Sequence, residues 1–121
     1  MAGDGGTIIW PMLLGVSRAK EFLMRGTLVQ GKDAERIGLV NYALPAAEVL
    51  PKARAIAREL ADGASWAMRW TKMSINKEIR QRANLTLDLA HALEMLTLPM
   101  QDHREATRAF KEKRKPTFIG R

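Results

Sequence analysis

Asp4 is one of thirteen acidic residues in the chain and the only one set among glycines. It sits inside Gly3-Asp4-Gly5-Gly6-Thr7, a glycine-rich loop that opens onto an apolar segment. At such a loop Asp4 or Thr7 can accept a free backbone N–H of the helix that follows. A second concentration of chemistry is the run Lys111-Glu112-Lys113-Arg114-Lys115, which could meet a phosphate-bearing ligand, RNA or only water. His91 and His103 stand alone, with no second histidine four residues on and no carboxylate at metal-ligand spacing. They read as helix-surface or interface residues. Ser17 and Ser65 read as helix caps, since neither has a base nearby in sequence. The chain has no cysteine, which excludes a disulfide scaffold, a cysteine nucleophile and a thiolate metal site.

The elements that must hold these residues are bounded by length and composition. A chain of 121 residues fits one domain. Its 46% apolar and 27% charged residues are near the globular average. The net charge is +7, and its distribution matters more than its size. Residues 101–121 carry seven Lys/Arg against three Asp/Glu, while residues 16–100 carry thirteen against nine, spread evenly. The excess is a basic tail, not a stripe along the chain, and no zinc-finger, RNP-type or basic-zipper pattern accompanies it. No apolar stretch reaches the ~20 residues of a bilayer-spanning helix. The first residues have no basic region ahead of an apolar core, so the expected location is cytoplasmic.

Along the chain, a first short helix is expected between the glycine loop and Gly15, with Pro11 inside or breaking it. Ser17 should cap a helix to about Arg25 that buries Ala19, Phe22 and Leu23 and is closed by Gly26. Thr27-Leu28-Val29-Gln30 and Leu39-Val40-Asn41-Tyr42-Ala43-Leu44 read as two short strands. Between them Asp33 should cap a short helix with Ala34 and Ile37 inward. After Pro45 the pattern is helical. Val49, Ala53, Ile56, Ala57 and Leu60 recur at helical spacing up to Asp62-Gly63. Ser65 should cap a helix with Trp66, Trp70 and Met73 on one face. A further helix carries Leu85, Leu89, Leu93 and Leu96, and Pro99 breaks it. A last helix over 101–115 should bury Ala106, Ala109 and Phe110. Helices apolar on several faces, in a chain this small, imply partner chains or further structure. Two short strands cannot make a sheet worth burying. The chain reads as the C-terminal part of something larger.

The order of these pieces resembles the C-terminal half of the enoyl-CoA hydratase/isomerase family, the crotonase superfamily. Four blocks carry the resemblance: Gly5-Gly6-Thr7 with Leu14-Gly15; Ala19-Lys20-Glu21-Phe22-Leu23; Asp33-Ala34-Glu35-Arg36-Ile37-Gly38-Leu39-Val40 with Pro45; and Glu105-Ala106 followed by Ala109-Phe110-Lys111-Glu112-Lys113-Arg114-Lys115-Pro116-Thr117-Phe118. The last block is the most specific. The implied fold class is α/β, a spiral of β-β-α turns followed by a helical region. Residues 1–45 would be the last part of the spiral core and residues 46–121 the helical trimerisation and CoA-contact region.

The resemblance also implies a chemistry. Family members bind an acyl-CoA and stabilise a thioester enolate with two backbone N–H donors, an oxyanion hole. Carboxylates then move a proton or activate water. In hydratases those donors and both glutamates lie upstream of the loop with which this chain begins, so the chain alone is expected to be incomplete and inactive. Asp4 matches the position of a catalytic aspartate in the dienoyl-CoA isomerase branch, and Gly3 and Gly5 match loop positions where backbone approaches substrate. Phe110 and Lys113 match positions that reach the CoA of a neighbouring subunit. On one helical face, the ring would pack on adenine and the ammonium would pair with the ribose 3′-phosphate. Lys111, Arg114 and Lys115 read as solvated.

The leading expectation is therefore the C-terminal part of an enoyl-CoA hydratase that adds water to 2-enoyl-CoA thioesters once the full site is assembled. The alternatives are an enoyl- or dienoyl-CoA isomerase using Asp4, a non-catalytic CoA-binding or oligomerisation module, and RNA binding through the basic tail. The expected partners are acyl-CoA and either further copies, as a trimer or dimer of trimers, or an N-terminal half. No cofactor or metal is expected beyond the coenzyme A thioester as substrate.

Overall fold

The computed structural model describes residues 2–121. Six helices follow one another: α1 (Gly6–Leu14), α2 (Val16–Arg25), α3 (Gly31–Arg36), α4 (Ala46–Asp62), α5 (Ser65–Thr97) and α6 (Gln101–Lys111). Packing joins α1 to α2, α1 to α5 and α4 to α5.

The first pair is set by glycine. Gly15 takes φ 79° and ψ 159° between α1 and α2, which lets the chain turn back at once. Trp10 of α1 then meets Phe22 of α2 edge-on, with ring centroids 5.8 Å apart. Ala19 is buried on the inner face of α2. Gly26 closes α2 in the left-handed region, and the N–H of Thr27 donates to the Phe22 carbonyl at 3.2 Å.

The two expected strands are absent among the described residues. Residues 27–30 form neither helix nor strand, Gln30 alone being seen to be extended, and Leu28 is 90% exposed. Residues 39–41 bend, because the N–H groups of Leu39 and Val40 both turn back to the Ala34 carbonyl. A strand is stabilised by a neighbour that takes up its N–H and C=O groups. These two short segments do not pair with one another.

The caps also differ from the expected ones. No side chain caps α1, α2, α3 or α5; the N-cap positions are Gly5, Gly15, Gln30 and Ala64. Ser17, Asp33 and Ser65 instead lie inside their helices, and Asp33 pairs with Arg36 at 3.0 Å. The segments read as separate helices before and after residue 80 form one helix of 33 residues, about 50 Å long at 1.5 Å per residue. No proline or glycine interrupts it.

The buried apolar residues are small or isolated: Ile8, Ala19, Ala34, Ala90 and Ala109. Large ones lie outside. The apolar spacing along 46–62 does form α4, yet Val49 and Leu60 stay exposed there. Leu85, Leu89 and Leu96 on α5 are more than half exposed. The chain exposes 10104 Å². A compact monomer of this mass exposes roughly 6,600 Å². No helix among the described residues is long and apolar enough to cross a membrane.

Candidate functional site

The loop before α1 is built around two glycines with different physical reasons. Gly5 has φ 108°, a conformation that L side chains rarely adopt. Its carbonyl receives the N–H groups of Ile8 and Ile9, each at 3.0 Å, and so starts the helix. Gly3 has an ordinary φ but is buried. A Cβ built on it would come within 2.6 Å of Glu94 Cδ and 2.7 Å of Glu94 Cβ. Gly3 is therefore glycine because α5 passes close by, not because the turn demands it.

Asp4 stands between them, exposed, and does not cap α1. The expected capping bond from Asp4 or Thr7 is absent because Gly5 brings its own carbonyl to the helix start. The Thr7 hydroxyl is buried and makes no hydrogen bond among the described residues. Glu94 is the residue that sequence reasoning missed here. Its signal was a carboxylate in the apolar run Leu93-Glu94-Met95-Leu96.

The C-terminal block is organised differently from the expected helix over 101–115. The helix α6 stops at Lys111, and Lys113 takes φ 53°, the left-handed position where helices usually place glycine. The N–H of Lys113 donates to the Phe110 carbonyl at 3.2 Å and that of Arg114 to the Ala109 carbonyl at 3.0 Å. Phe110 and Lys113 thus share no helical face. Phe110 is not core either; it is 85% exposed, while Ala109 beside it is buried.

Beyond this turn the tail folds back along α6. Arg114 grips Glu105 with two bonds, Nη1 to Oε1 at 2.6 Å and Nη2 to Oε2 at 3.0 Å, and reaches Glu112 through Nε at 2.6 Å. The N–H of Thr117 donates to Glu105 at 3.0 Å. Those of Ile119 and Gly120 donate to the two oxygens of Asp102 at 2.8 and 2.9 Å. Arg114 is thus a clamp, not the solvated cation expected from its place in the basic run. Its spacing from Glu105, nine residues, carries no local periodicity that would reveal the pair. Tail and helix enclose a groove of about 610 Å³ that includes Arg104 and Arg108.

The Arg114 hydrogen bonds hold the Glu105 carboxyl down at about 2, and the Thr117 N–H acts in the same direction. A carboxylate with a depressed folded-state pKa lends stability above its ordinary value of 4.5, and that stability is lost as pH falls towards about 2. The clamp is expected to be constant from pH 5 to neutrality and to open in acid. Glu105→Gln should reproduce the acid state at neutral pH, with amide exchange at Thr117 about tenfold faster or more. Unchanged exchange at Thr117 would show that the clamp does not hold the tail.

His91 and His103 are both exposed. Among the described residues no three His, Asp or Glu side chains converge as a metal cluster.

Residues 1–121 match the family profile of enoyl-CoA hydratase/isomerase. The chain belongs to the enoyl-CoA hydratase/isomerase family. It is 34% identical over 119 residues to the enoyl-CoA isomerase/hydratase fer4 of Mycosarcoma maydis, covering 98% of this chain and 43% of that protein. It is 32% identical over 119 residues to the crotonyl-CoA hydratase of Syntrophomonas wolfei, covering 98% of this chain and 46% of that protein. Among solved structures, the enoyl-CoA hydratase of Geobacillus kaustophilus superposes with a TM-score of 0.59 at 33% identity, over 97% of this chain and 44% of that one. The crotonase fold follows. The chain spans less than half the length of these relatives and corresponds to the C-terminal part of the enoyl-CoA hydratase/isomerase fold.

Proposed function

We propose that this chain is the C-terminal part of an enoyl-CoA hydratase, which adds water to 2-enoyl-CoA thioesters when the complete site is assembled. The observation that carries this reading is the family match along the whole chain, with relatives named as hydratases. Within it, residues 3–5 border the acyl chain and Asp4 faces the substrate from the rim of the loop. Residues 1–45 close the spiral core, and residues 46–121 supply subunit contacts and the CoA-tail contact. The unpaired segments 27–30 and 39–44 find strand partners only in that complete core.

The test is incubation of crotonyl-CoA with the intact protein as its gene encodes it. Hydration removes the conjugated enoyl absorbance and adds the mass of one water. Isomerisation out of conjugation also removes that absorbance but leaves the mass unchanged, so absorbance and mass together separate the two reactions from each other and from no turnover. Loss of absorbance at unchanged mass would replace hydration by isomerisation. No turnover by a complete, folded protein would favour a binding role.

Phe110 and Lys113 are assigned to the CoA of a neighbouring subunit. The exposure of the Phe110 ring suits stacking on an adenine. Phe110→Ala should weaken CoA binding about tenfold, since a base–aromatic stack contributes about 1–3 kcal/mol, and should leave the fold of the chain unchanged. Lys113 separates its two roles by experiment. Lys113→Gly relieves a left-handed residue, which costs about 1–2 kcal/mol in non-glycine residues, so its melting temperature should hold or rise. Its affinity for CoA should fall, with less loss for a CoA lacking the 3′-phosphate. Equal affinities for both forms of CoA would remove the phosphate contact.

A further inference from the structure

Glu94 places a carboxylate against the loop that the function above assigns to the acyl chain. It is partly buried, near the C-terminal end of α5, and lies over Gly3 so closely that a methyl group there would collide with it. Its neighbours Leu93, Met95 and Leu96 are apolar. The ion pairs among the described residues are Glu21–Arg25, Asp33–Arg36, Glu78–Arg82 and the Arg114 cluster, and Glu94 is in none of them. The hydroxyl of Thr97 donates to the Glu94 main-chain carbonyl at 2.7 Å, and no hydrogen bond among the described residues reaches the side-chain carboxylate.

A carboxylate beside a passing hydrocarbon chain loses water and receives nothing in exchange. Beside a hydroxyl or amine it accepts a charge-assisted hydrogen bond. We propose that Glu94 is a specificity-determining residue of the thioester pocket, selecting acyl chains that carry a hydrogen-bond donor over plain hydrocarbon chains. This rests on the reading that residues 3–5 border the acyl chain. The close fit on Gly3 fixes where the carboxylate stands, and Gly3 is therefore part of the same device. A polar residue serving only solubility would have no need of a glycine beneath it.

The experiment is equilibrium binding of unreactive saturated probes to the intact protein as its gene encodes it. The probes are butyryl-CoA, 4-hydroxybutyryl-CoA and free CoA. The wild type is expected to bind the hydroxylated chain at least about tenfold more tightly than butyryl-CoA, because the acyl chain covers a partly buried acceptor, and an acceptor so covered discriminates against a ligand that leaves it unpaired. Glu94→Leu should erase or reverse that preference, with butyryl-CoA binding more tightly than to wild type. Glu94→Gln should retain part of it. Gly3→Ala, which pushes Glu94 aside without touching its charge, should also reduce it, and keeps the test decisive if one Glu94 variant folds poorly. Equal wild-type affinities for the two acyl chains, or a preference that survives Glu94→Leu, would overturn the inference while CoA binding itself stands. Absence of binding to all three probes by the folded protein would instead overturn the thioester reading, and the role of Glu94 with it.

Discussion

Purified by itself, the 121-residue chain is expected to sediment as an oligomer or larger assembly, not as a 13.6 kDa monomer. The reason is surface. Its exposed area of 10104 Å² exceeds by about half what a compact monomer of its mass shows. The excess is concentrated in large apolar side chains. Trp66 and Trp70 are 62% and 59% exposed, and their rings meet one another along the helix with centroids 5.8 Å apart and planes tilted by 39°. Further along α5, Leu85 is 80% exposed and Leu89 62%. Each leucine covered by a partner contributes roughly 1.5–3 kcal/mol. A handful of them outweighs the cost of holding two chains together. Sedimentation velocity over a tenfold concentration range reads the result directly. Leu85→Glu with Leu89→Glu should shift the chain towards smaller species, because a charge cannot be covered by an apolar partner face without a large desolvation cost. A stable, well-folded monomer of the unmodified chain would refute the expectation.

Asp4→Asn is expected to abolish double-bond isomerisation by the intact protein while leaving hydration within a few-fold of wild type. General acid–base groups contribute typically about 10²–10⁴ in rate, and an amide of the same shape cannot carry the proton. The substitution is clean because Asp4 carries no structural duty in this loop. The helix starts on the Gly5 carbonyl, and Gly5 alone provides the left-handed turn. The fold should therefore shift by less than about 0.5 kcal/mol, as for other exposed positions. Measuring both reactions on the same preparations decides the role. Equal losses in hydration and isomerisation would mark Asp4 as a positioning residue or a shared acid. No loss in either would leave it as a rim residue.

The C-terminal block shows how one motif can hold two functions. Glu105, Ala109 and Arg114 fasten the tail to α6, and the Lys113 backbone makes the turn, whereas the side chains of Phe110 and Lys113 make no hydrogen bond or ion pair among the described residues. The specificity of that sequence pattern thus arises partly from a clamp. Substitutions at Arg114 should loosen the tail, and substitutions at Phe110 should be felt by the ligand.

The sequence by itself determined the family and where the chain turns helical, with Gly15 and Gly26 as stops, but it divided α5 in two and carried α6 on to residue 115. Those depend on local signals: apolar spacing at 3.6 residues, glycine at left-handed positions, and ordered blocks along the chain. It also located the loop, since a glycine cluster before an apolar run is a local pattern, but the turn covers residues 3–5, and Gly6 and Thr7 already belong to α1. What only the tertiary structure decided were the relations between distant residues. The closeness of Glu94 to Gly3 is invisible in a chain where they lie far apart, because α5 must first pack on α1. The grip of Arg114 on Glu105 needed the helix to stop at Lys111, and the stop is written in the backbone of Lys113, not in a glycine. The two segments read as strands illustrate the reverse case. Their residue types favour strands, but strand pairing is supplied by neighbours, and within residues 2–121 these segments find none.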